Sequence, residues 1–197
     1  WAAGGRGVGR VDGRVWMVAG GVPGDVLWAR IVKDHGRFVE AVVDRLEQPS
    51  AARRRAPCPI QAVCGGCPMM TVEDSAQRDA KGQFLVDALR RIGRLPESLR
   101  VDPVTPAPTT LAYRNKLELT FGRDAALGPL LGFHRADGSR GLVDVDACAV
   151  ADPRLRPLLA VAREFFVDGP GATEPAAQDP IEPLRLVLRA SHAADER

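Results

Sequence analysis

Aromatic residues are scarce in this chain: Phe, Trp and Tyr make up 5% of it, with a single tyrosine. An interior built with so few rings must rely on Ala, Val and Leu. Long hydrophobic runs are also lacking, and no stretch approaches the ~18 uncharged apolar residues of a membrane-spanning helix. The opening Trp1-Ala2-Ala3-Gly4-Gly5-Arg6-Gly7 has none of the basic-then-apolar order of a secretory signal. A cytoplasmic protein with no membrane partner is the expectation. Neither charge sign dominates, since 27 Lys and Arg stand against 25 Asp and Glu, so net charge argues only weakly for an anionic partner.

What is present is ordinary globular composition, 45% hydrophobic and 26% charged, in 197 residues, enough for one large or two small domains. The chain begins at Trp1 rather than Met and is expected to be part of a longer one. Arginine supplies 24 of the 27 basic residues, and residues 1–57 hold ten basic against six acidic side chains, a local excess of +4.

Between Val8 and Leu46 short apolar runs alternate with turn residues. Asp12-Gly13 is a hairpin signal, residues 20–25 (GGVPGD) form a broad turn, and Asp34-His35-Gly36-Arg37 marks a third reversal. Four or five strands closing into a small antiparallel β-barrel are expected over residues 1–50. Such barrels often bind nucleic acid, and equally serve as plain packing units. Residues 51–70 read as a linker and cysteine loop. The linker carries Arg53-Arg54-Arg55, three adjacent guanidinium groups that repel unless something anionic lies near, and phosphate matches their planar donors. A solvated linker is the alternative.

Residues 71–197 are expected to form a mixed α/β domain, making the whole chain α+β. Thr71-x-x-Asp74 has capping-box spacing, and Phe84, Leu85, Ala88, Leu89 and Ile92 recur at helical steps up to Gly93. Strands follow at 117–121, 130–134 and 142–146, and a helix at 155–166 opened by Asp152-Pro153. A flexible loop is expected over 168–183. The last strand, 184–188, needs a partner in the earlier sheet or in a continuation of the chain.

The chemistry sits in the cysteines. Cys58, Cys64 and Cys67 fall within ten residues, and Cys148 lies eighty-one positions beyond Cys67. Disulfides need an oxidising compartment, for which nothing here argues. Buried inert thiols fit poorly in a loop of Pro and Gly. Structural zinc favours two close pairs, whereas this spacing is C-x5-C-x2-C with one distant cysteine. A [4Fe–4S] cluster suits three ligands plus one. Zinc stays open as the alternative. The loop does not match the C-x3-C-x2-C spacing of radical enzymes, the histidines His35, His134 and His192 are scattered, and residues 4–9 (GGRGVG) open no helix.

Several segments together resemble a known family. Residues 7–13 (GVGRVDG), 21–25 (GVPGD) and Glu40-Ala41 resemble the TRAM domain, an RNA-binding barrel. Cys58-x5-Cys64-Gly65-Gly66-Cys67, then Gln77 and Lys81, residues 113–116 (YRNK), Gly132-Phe133, and Cys148 following Val143-Asp144 resemble the RNA uracil-C5 methyltransferases, especially the branch acting on 23S ribosomal RNA. The resemblance implies that Cys58, Cys64, Cys67 and Cys148 bind a [4Fe–4S] cluster and that S-adenosylmethionine is the methyl donor. It further implies that a cysteine of a separate catalytic domain attacks C6 of uracil so that C5 becomes nucleophilic. The chain departs from the family in lacking the motifs of that domain, so no catalytic residue is assigned and these 197 residues are expected to be inactive alone. Arg53, Arg54, Arg55, Arg114 and Lys116 are the expected RNA contacts, in a monomer. The resemblance also implies that the helix over 71–93 leaves Leu85, Leu89 or Ile92 uncovered. Transfer RNA as substrate, a stand-alone RNA-binding iron–sulfur module, and a zinc-stapled structural protein remain alternatives.

Overall fold

The computed structural model describes residues 1–2, 4–124, 126–173 and 184–191. The chain divides into two compact units, residues 1–62 with 67–108, and residues 63–66 with 109–197. The sequence reading places boundaries at 50/51 and 70/71. The helix that follows the cysteine loop belongs with the first unit, because its first turn is tied to the preceding linker.

The first unit opens with β1 (Gly7–Val11) and β2 (Arg14–Ala19). Asp12 and Gly13 between them take φ of 49° and 77°, the paired left-handed conformation of a two-residue hairpin turn. β3 (Val26–Asp34) and β4 (Phe38–Gln48) form a second, antiparallel hairpin around Gly36. The sheet order is β1-β2-β4-β3, with β2 and β4 parallel. The expected all-antiparallel arrangement is therefore corrected to a mixed sheet, and among the described residues its strands do not close into a barrel. Residues 20–25 carry the chain from β2 to β3 without pairing the two, and β4 lies between them. Val18, Val39 and Ala41 form the core, with Trp16, Leu27, Ala29 and Val43 packed on it.

Helix α1 (Asp74–Arg91) starts three residues later than expected. The Thr71–Asp74 capping box does not form. Residues 69–72 make a turn instead, the Thr71 carbonyl accepts from the Arg54 N–H at 2.8 Å, and the Gln77 side chain donates back to the Val72 carbonyl at 2.9 Å. Ala80 is the one buried residue of α1, while Leu85 and Ile92 are 48% and 82% exposed and Leu89 is half-buried.

The second unit is a four-stranded antiparallel sheet in the order β7-β6-β5-β8, made of β5 (Lys116–Asp124), β6 (Gly128–His134), β7 (Leu142–Asp144) and β8 (Leu184–Arg189). The last strand finds its partner in β5, from Lys116 opposite Arg189 to Phe121 opposite Leu184. Leu117, Leu119, Leu131, Val145 and Leu155 are fully buried at its centre. Gly132 lies so close to β7 that a Cβ there would stand 1.8 Å from the Val143 carbonyl oxygen.

Helix α2 (Leu155–Arg163) is preceded by Asp152, whose carboxylate accepts from the Arg154 N–H at 2.9 Å. It continues as a wider turn over Glu164–Asp168 that sets Phe166 against Phe121, ring centroids 5.4 Å apart. Arg163 then pairs in bidentate fashion with Asp144, which also accepts from the Leu131 N–H. Of the expected 168–183 loop, residues 170–173 are helical and 174–183 lie outside the described residues, as do 192–197 with His192. Among the described residues no helix is long and apolar enough to cross a membrane.

Candidate cysteine site and RNA-contacting residues

All four cysteines are thiols among the described residues. Cys58 and Cys67 belong to the first unit, Cys64 and Cys148 to the second. In the first unit the Cys58 carbonyl accepts from the Gln61 N–H and the Cys67 carbonyl from the Met70 N–H, so both residues open tight turns. Such turns suit a loop with prolines beside two of its cysteines.

In the second unit the short segment of Cys64 lies along the end of β6. The Gly65 N–H donates to the His134 carbonyl at 2.9 Å and the Ala136 N–H to the Val63 carbonyl at 2.9 Å. A Cβ on Gly65 would stand 2.9 Å from the His134 oxygen, so this approach requires glycine. Cys64 is buried, and its sulfur accepts from the Gly66 N–H at 3.4 Å.

Arg114 holds two parts of this unit together. Its guanidinium donates to the Gly66 carbonyl at 2.9 Å, its backbone N–H donates to the Val150 carbonyl at 2.7 Å, and its carbonyl accepts from the Asp152 N–H. The Cys148 carbonyl closes the adjacent turn by accepting from the Ala151 N–H at 3.1 Å.

The donor chemistry fits an iron–sulfur cluster, with thiols as ligands and a backbone N–H aimed at one sulfur. Convergence is a separate matter: among the described residues no three Cys, His, Asp or Glu side chains form a metal-holding group.

The expected RNA contacts separate into two kinds. Arg53 donates through Nε and Nη2 to both oxygens of Asp25, at 2.7 and 2.6 Å, and through Nη2 to the Gly20 carbonyl. The Asp25 side chain is 1% exposed and also accepts from the N–H groups of Val22 and Ser50. Burial works to raise the Asp25 pKa, but the Arg53 guanidinium and these two backbone donors outweigh it, leaving the carboxyl below its ordinary value. Arg54 reaches the Met70 carbonyl and pairs with Asp74 at 2.9 Å. The anions that relieve the arginine run thus come from the chain itself for two of the three. Arg55 is exposed. Lys116 pairs with exposed Glu118, and that contact holds the Glu118 carboxyl below its ordinary value.

Sequence reasoning missed the pairing of Asp25 and Asp74 with the arginine run and the exposure of Trp28. Asp25 is separated from Arg53 by 28 positions, and no local pattern signals the pair. Trp28 lies in an apolar run, yet Leu27 and Ala29 are the residues of that run that meet the core.

No protein-family model matches the chain. Individual proteins do. The chain is 43% identical over 169 residues to an uncharacterized RNA methyltransferase of Gloeobacter violaceus, a match covering 84% of this chain and 36% of that protein. It is 38% identical over 152 residues to the 23S rRNA (uracil(1939)-C(5))-methyltransferase RlmD of Acidithiobacillus ferrooxidans, covering 77% of this chain and 34% of that protein. Its relatives are RNA methyltransferases by name. The chain spans about a third of the length of these curated relatives. Among solved structures it is similar to the Pyrococcus abyssi tRNA (uracil-54, C5)-methyltransferase in complex with S-adenosyl-L-homocysteine, with a TM-score of 0.49, 23% identity, and coverage of 85% of this chain and 38% of that one.

Proposed function

We propose that this chain is the RNA-binding and cluster-binding part of an S-adenosylmethionine-dependent RNA uracil-C5 methyltransferase acting on 23S ribosomal RNA. The observation that carries the reading is the 38% identity to an RlmD methyltransferase across 77% of this chain. In it residues 1–50 are a TRAM-type RNA-binding module, and the protein works as a cytoplasmic monomer. S-adenosylmethionine and the catalytic cysteine belong to a part of the enzyme not represented in these 197 residues, which therefore transfer no methyl group alone. The exposed Leu85 and Ile92 on α1 support this, since an apolar helix side left in water is where a further part of the protein would pack.

In this reading Cys58, Cys64, Cys67 and Cys148 hold a [4Fe–4S] cluster. When bound, the cluster supplies a cross-link between a loop and a distant turn. Arg114 orients the Cys64 segment, and the Gly66 N–H stabilises charge on the Cys64 sulfur. Arg55 and Lys116 meet RNA phosphate, Lys116 exchanging its exposed Glu118 partner for it, while Arg53 and Arg54 shape the linker.

The test is an anaerobic preparation with iron, acid-labile sulfide and zinc quantified, followed by titration with a 23S rRNA fragment and with a transfer RNA. About four irons and four sulfides per chain, lost in Cys148→Ser, with tighter binding of the ribosomal fragment, is the expected result. Stoichiometric zinc without sulfide would overturn the cluster. Equal or tighter binding of transfer RNA would overturn the ribosomal assignment.

A further inference from the structure

The outer side of the β3–β4 hairpin carries a tryptophan that the reading above does not use. Leu27 and Ala29 pack on the core, so strand alternation turns Val26 and Trp28 to the opposite side, where they are 53% and 60% exposed. Trp28 stands across from Arg45 in the pairing register, and the Arg45 guanidinium lies 5.5 Å from the indole centroid, within cation–π reach. The indole Nε1 donates to Glu47 at 2.8 Å, and Arg45 donates to the same carboxylate oxygen. Two contacts therefore fix the ring's orientation before any ligand arrives. Exposed aromatic rings held in this way lose little freedom on binding a flat partner.

We infer that Trp28, held by Arg45 and Glu47, is a stacking platform for one unpaired nucleobase of the RNA. The inference rests on the proposed RNA-binding reading and adds to it the residue and the kind of contact. A nucleobase offers a π-face of matching size, and indole and guanidinium planes are the two side-chain surfaces on which unpaired bases stack. Charge does not account for the site. Within β3, β4 and their turn, Arg30, Lys33, Arg37 and Arg45 are balanced by Asp34, Glu40, Asp44 and Glu47. A ligand held here is held by the ring, and removing the ring should weaken binding without changing its dependence on salt.

The experiment titrates the chain, Trp28→Phe and Trp28→Ala with a short oligouridylate at several salt concentrations, following affinity and tryptophan emission. The wild-type chain is expected to bind with quenching that Trp28→Phe removes. Trp28→Ala should bind about 5- to 100-fold more weakly, Trp28→Phe should keep most of the affinity, and neither should alter the salt slope. Because Trp28 lies outside the core, both variants should melt like the wild type. Wild-type binding that Trp28→Ala leaves unchanged, or quenching that survives in Trp28→Phe, overturns the platform while the RNA-binding reading stands. Failure of the wild type to bind this RNA or a 23S fragment overturns both. A concentration-dependent rise in mass abolished by Trp28→Ala would assign this side to a second copy of the chain instead.

Discussion

The Arg114 guanidinium donates to the Gly66 carbonyl at 2.9 Å while the Arg114 backbone is bonded on both sides to the turn that follows Cys148. One residue thus joins, within the second unit, the segment of Cys64 and the turn of Cys148. A hydrogen bond from a charged donor contributes ~1.5–3 kcal/mol. Arg114→Ala is expected to lower iron and sulfide per chain and the melting temperature, and Arg114→Lys, which cannot present the same planar donor, to recover only part of either. Iron at the wild-type level with weakened RNA binding would move Arg114 to the RNA surface.

The pair of Arg53 and Asp25 makes a second prediction. Removing one partner of a buried ion pair costs ~3–5 kcal/mol because the other charge is left unpaired. Arg53→Ala should therefore destabilise the first unit by about that amount in urea denaturation, and leave the salt slope of RNA binding close to the wild-type value. The sign with pH follows from the lowered Asp25 pKa. The pair's contribution is complete above the ordinary carboxylate range near 3.8 and is lost as pH falls through the lower folded-state value. Melting temperature should fall in that acid window, and Asp25→Asn should flatten the fall. An acid limb that Asp25→Asn leaves unaltered would assign the loss to other carboxylates.

Gly132 provides a steric test. A Cβ there would stand 1.8 Å from the Val143 carbonyl oxygen, a backbone atom fixed by the β6–β7 pairing. Gly132→Ala should cost at least the ~1–3 kcal/mol typical of overpacking. Gly9, whose added Cβ would meet nothing within 4 Å, is the control, and Gly9→Ala should be nearly neutral. Equal denaturation midpoints for the two variants would show that β7 can withdraw from β6.

These residues also show what could be read from the sequence. The Asp12-Gly13 turn was legible because two adjacent left-handed residues are a local requirement with a local signature. The last strand was legible as a strand lacking a partner, and β5 supplied it. The insertion of β4 beside β2 was not, since parallel pairing depends on how the chain passes through residues 20–25 and no strand records that path. The side to which Trp28 turns was hidden by the uninterrupted apolar run Val26-Leu27-Trp28-Ala29, which gives period-two alternation nothing to act on. The cysteines stand out in the sequence as candidate ligands by their spacing. Their division between two compact units was not legible, because spacing does not report which strand end the loop lies against.

The arginine run supplies the last prediction, and the structure changes its size. Three solvent-facing arginines would each release about one counterion on meeting phosphate, for a change in the salt slope of about three. Arg53 and Arg54 are already neutralised by Asp25 and Asp74, and Arg55 alone of the three is exposed. Arg55→Ala should therefore reduce the slope by about one and weaken binding similarly across RNA sequences, without changing stability. Arg54→Ala should instead loosen the start of α1, where Arg54 meets both Asp74 and the Met70 carbonyl, and be read as a lower melting temperature at an unchanged slope. A slope reduced by about three in the triple variant, with each single variant contributing equally, would show that RNA displaces Asp25 and Asp74 from their arginines. The linker would then be remodelled on binding.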